Sequence, residues 1–222
     1  MTAEIECSRP SQKSTADGGT PVKRGRGRPA APEQQRQRIV QTAAKVFATK
    51  GYETSSLSDL AKEIGTSKAA IYHYFATKQE IYDAIIVGVL SGLVVYVKEK
   101  VSEDTDAPDK LKSFMQHHAI YFEGHYNEFV AMLVGFNGMA MPEFRHEAMR
   151  LRSEHETLLR SILVQGVAEG TFAKLDPIIT GRAVLSLLNW MVRWFRPGGV
   201  ERAEGVATEY YNTLIGGIAR KA

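Results

Sequence analysis

The feature that most constrains the fold of this chain is a pair of short helical patterns joined by a glycine between residues 55 and 75. Ser56 and Asp59 form the Ser-x-x-acid pattern of a helix N-terminus. The apolar residues around them recur at helical spacing: Leu57, Leu60, Ala61 and Ile64. Gly65 can adopt the positive φ that ends a helix, and a hydroxyl residue beyond it can cap the next one. The two helices therefore meet at a tight corner, which predicts a helix-turn-helix.

The second helix of the pair, predicted over residues 68–75, has a polar outer face. Ile71 and Phe75 lie on one side, which predicts that they pack inward. The outer side then carries Lys68, Ala69, Ala70, Tyr72 and His73. The alanines would let the backbone come close to the major groove of DNA, while the amine, phenol and imidazole can donate to phosphates and base edges. This surface predicts a DNA-reading element.

The flanking sequence supports the motif on both sides. A first helix is predicted over residues 33–50, ending at Gly51, with apolar residues at helical spacing: Ile39, Ala43, Val46 and Phe47. Thr77 and Glu80 predict a second capping box. Lys78 lies in the first turn of the helix that follows, where the N-terminus already favours a phosphate.

The sequence resembles the tetracycline-repressor (TetR) family of bacterial transcriptional regulators. The resemblance is carried, in the family's order and spacing, by residues 43–51 (AAKVFATKG), 55–61 (SSLSDLA), 65–67 (GTS), 71–75 (IYHYF) and Lys78. It implies DNA contacts by Ser56, Ser67, Lys68, Ala69, Ala70, Tyr72, His73 and Lys78. Many relatives have Gly or Pro and then Thr where this chain has Ala69 and Ala70. A hydroxyl contact is therefore missing, and the operator sequence does not carry over.

The charge is divided unevenly along the chain. Residues 1–78 contain 13 Lys and Arg against 7 Asp and Glu, a net charge of +6, whereas residues 79–222 contain 15 against 18, a net charge of −3. A basic front on a slightly acidic body is the electrostatic pattern of a DNA-binding protein.

The composition of residues 1–32 predicts that they form a disordered basic arm. They are rich in small, polar and charged residues and have few large apolar side chains, so little burial would offset the entropy of ordering them. The sequence RGRGRP at residues 24–29 resembles the core of an AT-hook, which lies in the narrow minor groove of A·T-rich DNA. Arg24, Arg26 and Arg28 are therefore candidate DNA contacts. A basic tail without a groove preference is the alternative.

The rest of the chain predicts helices throughout. Helical patterns cover residues 78–102, 111–125, 128–137, 143–169, 177–195 and 201–220. With the three earlier helices the total is nine, which predicts an all-α, TetR-like architecture. Its expected parts are a helix-turn-helix DNA-binding domain at residues 33–77 and a ligand-binding and dimerisation domain at residues 78–222.

The last two predicted helices carry more apolar surface than a small core requires. The residues are Leu185, Leu188, Trp190, Met191, Trp194, Val206, Tyr210, Leu214 and Ile218. In the family these helices pair with their copies in a four-helix dimer interface; completion of the protomer core is the alternative. A two-fold homodimer places two recognition helices about one turn of DNA apart, which predicts a palindromic operator.

The middle helices predict a cavity for a small molecule. Its candidate residues combine aromatic rings, sulfur and a few polar groups: Phe114, Met115, His118, Phe122, Phe129, Met132, Leu133, Phe136, Asn137 and Asn189. Such a lining suits a largely apolar ligand with one polar end, although each residue taken alone also fits an ordinary core. The polar members are the sharper candidates, because a buried imidazole or amide needs a hydrogen-bond partner.

Two further segments resemble a branch of the family that controls fatty-acid, steroid and aromatic-acid breakdown. They are residues 189–199 (NWMVRWFRPGG) and 169–172 (EGTF). The resemblance implies release from DNA by an acyl-CoA thioester. Arg193 and Arg196 are candidates for its phosphates if they face an opening, and a place at the border of the dimer interface is the alternative for them. A repressor of an efflux gene that responds to diverse lipophilic drugs is one alternative. A DNA-binding protein without a ligand is another.

Other classes of function are not predicted. The single cysteine, Cys7, excludes an intramolecular disulfide, and His117, His118 and His125 lack the further ligands of a metal site. The sequence contains neither a phosphate-binding loop nor a nucleophile motif, so neither an enzyme nor a cofactor is predicted. Neither a signal peptide nor an apolar stretch long enough to span a bilayer is expected, so a cytoplasmic location is predicted.

Overall fold

The computed structural model describes residues 32–101, 105–135 and 142–218. These residues form nine α-helices: α1 (Pro32–Lys50), α2 (Leu57–Ile64), α3 (Lys68–Tyr72), α4 (Lys78–Lys100), α5 (Ala107–Gly124), α6 (Tyr126–Gly135), α7 (Pro142–Ala168), α8 (Pro177–Trp190) and α9 (Ala203–Ile218). A short 3-10 turn, Met191–Arg193, follows α8. The predicted all-α architecture is confirmed.

The helix-turn-helix forms as its caps predict. The Ser56 hydroxyl accepts from the Asp59 amide at 3.2 Å, and the Asp59 carboxylate accepts from the Ser56 amide at 2.9 Å. Gly65 ends α2 at φ 73°, a left-handed conformation that glycine adopts without strain. Ser67 then caps α3 by accepting from the Ala70 amide at 3.1 Å. Local hydrogen bonds thus fix the corner between the two helices.

Several helix ends differ from the prediction. The α3 helix ends at Tyr72 rather than Phe75, although the Phe75 amide still donates to the Ile71 carbonyl at 3.0 Å in the turn that follows. The α5 helix begins at Ala107, earlier than predicted, because Asp106 caps it and Pro108 fits its first turn. The α8 helix ends at Trp190, where the chain tightens into the 3-10 turn.

The long helix α4 lies in the middle of the bundle and packs against α1, α5, α6 and α7. By length and composition alone it could cross a bilayer, contrary to the expectation from the sequence. More than half of its apolar window is buried among the other helices. Its apolar surface is therefore used as core, by residues such as Ile85, Val89 and Leu93.

The helix α6 contacts the helices that precede and follow the helix-turn-helix in the chain. It packs against both α1 and α4, and the Tyr82 hydroxyl on α4 donates to the Ala131 carbonyl on α6 at 3.1 Å. Phe129, Ala131 and Met132 on α6 are buried. The helix that follows the helix-turn-helix is thus hydrogen-bonded to α6.

Candidate DNA interface and effector cavity

The outer face of α3 is exposed and chemically mixed, as predicted. Lys68, Ala69, Tyr72 and His73 are exposed and Ala70 is half-buried, whereas Ile71 is fully buried. The Lys68 ammonium lies 5.8 Å from the centroid of the Tyr72 ring, within cation–π range. The face offers charged, phenolic and imidazole groups beside two small residues.

Ser56 is exposed, but its donors are already engaged. Its hydroxyl donates to the Asp59 carboxylate at 2.6 Å, and its amide donates to the same oxygen. These hydrogen bonds, with the hydroxyl contribution the largest, lower the pKa of Asp59 to about 2. To donate to a phosphate, the Ser56 hydroxyl would have to turn away from Asp59.

Lys78 holds α4 to the turn between α1 and α2. Its ammonium donates to the carbonyls of Tyr52 at 2.8 Å and Ser55 at 2.9 Å. It also lies 4.1 Å from the centroid of the Tyr52 ring. Among the described residues no acceptor is recorded for its third N–H.

The start of α4 is held by a second set of contacts, which includes one to the turn after α1. Thr77 caps α4 by accepting from the Glu80 amide at 3.0 Å, but the Glu80 carboxylate accepts from Ala76 rather than completing the predicted box with Thr77. The Tyr52 hydroxyl donates to Gln79 at 2.7 Å, and Gln79 donates to buried Asp83 at 2.8 Å. These hydrogen bonds join the start of α4 to the turn that leads into the helix-turn-helix.

A cavity of about 410 Å³ lies among α4, α5, α6, α7 and α8. Its walls are mostly apolar, with polar groups contributed by α5, α7 and α8: Leu90, Leu93, Val94, His118, Phe129, Met132, Leu133, Arg152, His155, Glu156, Leu185 and Asn189. The volume is within the range of small-molecule sites.

The predicted ligand residues divide into three groups. Five of them line the cavity: His118, Phe129, Met132, Leu133 and Asn189. Three are fully buried but do not line it: Phe114, Met115 and Phe122. They share the buried face of α5 with His118 and pack in the protein core, so the cavity reaches only part of that face. Phe136 and Asn137 lie outside the described residues, as do Arg24, Arg26 and Arg28 of the arm.

His155, which was not predicted from the sequence, pairs with His118 to form the most distinctive polar feature of the cavity. His155 on α7 and His118 on α5 are both buried, and His118 Nδ1 lies 3.0 Å from His155 Nε2. His155 lies in register with buried Leu151 and Leu159, so its position within an apolar helical stripe was the available signal.

Burial favours the neutral form of both imidazoles. Desolvation, followed by the charge of His155, lowers the pKa of His118 well below its ordinary value. Desolvation lowers the pKa of His155 to about 4. The Phe114 ring stacks on His155 with centroids 4.7 Å apart, which explains the apolar surroundings.

The surface formed by α8, the turn that follows it and α9 only partly matches the predicted dimer face. Leu188 and Met191 are fully buried within the protomer, so they complete its core instead. Trp190 is 63% exposed and Trp194 44% exposed. Trp190 also borders a shallow apolar groove with Ala183, Ser186, Leu187 and Tyr210. An exposed aromatic patch of this kind is typical of an interaction surface.

Among the described residues no group of three or more His, Cys, Asp or Glu side chains could hold a metal ion. The lining of the cavity itself offers hydrogen-bonding groups, charge and apolar surface.

Two protein-family profiles match the chain. Residues 39–85 match the N-terminal family described as bacterial regulatory proteins, tetR family. Residues 104–218 match the family described as tetracyclin repressor-like, C-terminal domain. The second match covers α5 to α9, which form most of the cavity and the exposed aromatic surface.

Similar proteins extend over most of the chain. The HTH-type transcriptional repressor KstR2 of Mycobacterium tuberculosis is 26% identical over 189 residues, covering 84% of this chain and 94% of KstR2. The crystal structure of the TetR family regulator PfmR from Thermus thermophilus is 47% identical, with a TM-score of 0.77, covering 82% of this chain and all of PfmR. The structure of AibR in complex with isovaleryl coenzyme A and operator DNA shares the fold at 21% identity and a TM-score of 0.72, covering 81% of this chain and 97% of AibR.

Proposed function

Since the chain belongs to the TetR family of bacterial transcriptional regulators, we propose that it is a ligand-responsive repressor. It binds a palindromic operator as a homodimer and is released by an acyl-CoA thioester. The main support for the proposal is that the same helical bundle contains an exposed α3 helix and a largely apolar cavity. The helices α4 and α6 line the cavity, α4 is hydrogen-bonded to α6, and α4 also contacts the turn before α2.

The DNA contacts are proposed to come from the ends of α2 to α4. Lys68, Tyr72 and His73 reach base edges and phosphates from α3, with Ala69 and Ala70 allowing close approach. Ser56 and Ser67 lie at the N-termini of α2 and α3, where backbone amides favour phosphate. The third N–H of Lys78 reaches a phosphate while the other two stay on the Tyr52 and Ser55 carbonyls. Arg24, Arg26 and Arg28 add contacts from the arm.

The proposed dimer uses the exposed surface of α8 and α9. Trp190, Trp194 and Tyr210 supply the aromatic area that interfaces favour, and a second copy would cover them. Two-fold symmetry then places two α3 helices on the same face, so that each reads one half-site.

The cavity is proposed to hold the acyl part of the effector. Leu90, Leu93, Leu133 and Leu185 provide apolar walls for a hydrocarbon chain. Arg152 brings a positive charge to the same lining and suits the polar remainder of a thioester. The complex of AibR with isovaleryl coenzyme A and operator DNA supports this choice only through the shared fold.

Release is proposed to follow from a shift of α6 and α4. A ligand against Phe129 and Met132 displaces α6, which is bonded to α4 through Tyr82 and packs on α1. Lys78 then carries the tilt of α4 to the turn before α2. The two recognition helices cease to match successive major grooves. For effective release the ligand must favour the displaced conformation by a few kcal/mol.

We propose that the protein acts in the cytoplasm as a regulator and not as an enzyme. The test is binding of the purified full chain to the DNA upstream of its own gene, followed by footprinting. Acyl-CoAs, the matching free acids and cationic lipophilic drugs are then added separately. We expect two protected half-sites and release by one class of thioester. Release by the drugs alone would identify the efflux alternative, and binding that no compound changes would identify a ligand-independent protein.

A further inference from the structure

Seven lysines and arginines lie between residues 32 and 78, and four of them already have hydrogen-bond acceptors. These four are Arg38 on the Ile64 carbonyl at 2.9 Å, Lys45 on Glu63 at 3.2 Å, Lys50 on Asp59 at 3.3 Å, and Lys78 on the Tyr52 and Ser55 carbonyls at 2.8 and 2.9 Å. Among the described residues no acceptor is recorded for the other three cations, Arg36, Lys62 and Lys68. Their N–H donors are therefore available to a group outside the described residues.

Two of these three cations lie at the two ends of the segment that contains the recognition helix α3. Lys68 begins α3, and its ammonium lies 5.8 Å from the centroid of the Tyr72 ring. The Arg36 guanidinium lies 4.8 Å from the centroid of the Phe75 ring, in the turn that follows α3. Lys62 is exposed on α2, and within the described ranges no contact of its side chain with this segment is recorded. A cation from α3 thus lies at the start of the segment, and a cation from α1 lies at its end.

The packing of α1 fixes the place of Arg36. Arg36 precedes the buried Ile39 by three residues, so the two side chains share one face of α1. Phe75 is 1% exposed, whereas Arg36 is half-buried. The stem of Arg36 therefore covers a core ring while part of the side chain reaches the surface. Arg38, two residues later, joins the same part of α1 to the last carbonyl of α2 at Ile64.

A phosphate at the C-terminal end of α3 requires a cation from another helix. In three-helix DNA-binding domains such as the homeodomain, the recognition helix reads the major groove and its C-terminal end contacts the DNA backbone. That end of a helix carries a partial negative charge, which repels a phosphate. The last turn of α3 contains neither lysine nor arginine. Arg36 places a permanent positive charge beside it, and a planar guanidinium can donate two parallel hydrogen bonds to a phosphate.

We propose that Arg36 of α1 binds a phosphate of the operator at the C-terminal end of the recognition helix. With Lys68 at the N-terminal end, the DNA backbone is then held at both ends of α3. The inference rests on the DNA-binding part of the proposed function, because it adds a residue to the same interface, and it is independent of the effector. A phosphate contact carries no sequence information, so Arg36 contributes affinity and position while the outer face of α3 reads the bases.

The test is the salt dependence of DNA binding by the full-length variant Arg36→Met. Methionine keeps an unbranched apolar chain over Phe75 and removes the charge, whereas a purely structural role for Arg36 would need only the chain. Fluorescence anisotropy measures binding to an operator duplex at several salt concentrations. We expect the slope of log K against log salt to become shallower by about one unit. A slope equal to that of the wild type would overturn the inference.

Two further variants separate the local charge from packing and from net charge. Arg36→Lys keeps a charge over Phe75 and should retain the wild-type slope. Lys174→Met removes one charge from an exposed position in the turn before α8 and should also retain it. If Arg36→Lys lost as much slope as Arg36→Met, the packing over Phe75 would be responsible and the inference would fail. An equal change in Lys174→Met would assign the effect to net charge, with the same consequence.

Circular dichroism establishes that each variant is folded under the conditions of the binding assay. If Arg36→Met is unfolded there, Arg36→Gln replaces it and carries the same expectation.

A duplex of scrambled sequence tests whether the contact is made to the backbone. Arg36→Met should weaken binding to the operator and to the scrambled duplex by similar factors, whereas Tyr72→Ala should weaken mainly the operator complex. A loss confined to the operator would show that Arg36 takes part in reading the sequence, and it would overturn the assignment to a phosphate.

The same measurements separate this inference from the proposed function. Wild-type binding whose slope is unchanged in Arg36→Met rejects the phosphate contact and keeps the repressor. A shallower slope in Arg36→Met, combined with a wild-type complex that no thioester releases, supports the contact and rejects the effector. A wild-type protein that binds neither duplex rejects both.

Discussion

The ammonium of Lys78 donates to the carbonyl of Tyr52 at 2.8 Å and lies 4.1 Å from the centroid of the same residue's ring. Lys78 on α4 thus contacts both the backbone and the side chain of Tyr52, in the turn that leads into α2. The contact is part-buried, so it is less screened than a surface interaction. Lys78 therefore stabilises the contact between α4 and this turn, in addition to its proposed contact with a phosphate.

Lys78→Met should lower both stability and operator affinity. The two carbonyls lose a charged donor, which predicts a loss of about 1.5–3 kcal/mol in the free energy of unfolding. The salt dependence of binding should also fall by about one unit of slope. Chemical denaturation and binding at several salt concentrations measure the two effects. Lys68→Met, at an exposed position, should lower the slope but leave stability unchanged. An unchanged free energy of unfolding in Lys78→Met would show that the hydrogen bonds of Lys78 contribute little to stability.

Tyr72→Ala should weaken operator binding without disturbing the fold. The side chain is 48% exposed on the outer face of α3, so few core contacts are lost. We expect a loss of about 1–3 kcal/mol in operator binding, as for a residue that reads a base edge. Gel-shift titration measures the affinity, and Tyr72→Phe tests the hydroxyl alone. Unchanged affinity of Tyr72→Ala would mean that another face of α3 meets the DNA.

Trp190→Arg should convert the proposed dimer to monomers. The indole is 63% exposed beside an apolar groove, so the substitution places a charge at the centre of the proposed contact while leaving the protomer core intact. Sedimentation velocity measures the mass in solution. Val95→Arg is the matched control, because Val95 is 53% exposed on α4, away from α8 and α9 in sequence. Dimers that survive Trp190→Arg but not Val95→Arg would relocate the interface.

The buried histidine pair should make the protein less stable in acid. The pKa of His155 is about 4 in the folded state against 6.5 in its ordinary state, and that of His118 is also lowered. Between these values the unfolded chain binds more protons than the folded chain. The free energy of unfolding should therefore fall as the pH drops from about 6.5 to about 4.

Denaturation of His118→Phe/His155→Phe at several pH values checks this assignment. Removing the two imidazoles should flatten the dependence over the same window, whereas His117→Phe should keep it. An equally steep dependence in the double variant would assign the acid sensitivity to the carboxyl groups.

Gly166→Ala should destabilise the end of α7. A Cβ at this position would overlap the ring of Phe172, which is buried and whose backbone N–H donates a hydrogen bond to the Gly166 carbonyl at 2.9 Å. We expect a loss of about 1–3 kcal/mol in the free energy of unfolding, as for overpacking. Gly88→Ala has open space in α4 and should stabilise by up to about 1 kcal/mol. Thermal unfolding of both variants makes the comparison, and equal Tm values would contradict it.

The sequence alone was sufficient for the helix-turn-helix because its determinants are local. The cap of Ser56 with Asp59, the left-handed Gly65 and the cap of Ser67 involve residues within a few positions of each other. The inward Ile71 and outward Tyr72 follow from the same helical period. The nine-helix architecture also followed from local breaks in the pattern and from the family resemblance.

Only the tertiary structure decided which buried side chains surround a cavity and which fill the core. Phe114 and His118 are one helical turn apart on α5, yet His118 lines the cavity and Phe114 does not. His155 joins His118 from a helix 37 residues later in the chain, and Lys78 reaches the Tyr52 carbonyl across 26 residues. Helical periodicity determines which face a side chain occupies, but its partners and burial depend on how distant helices pack.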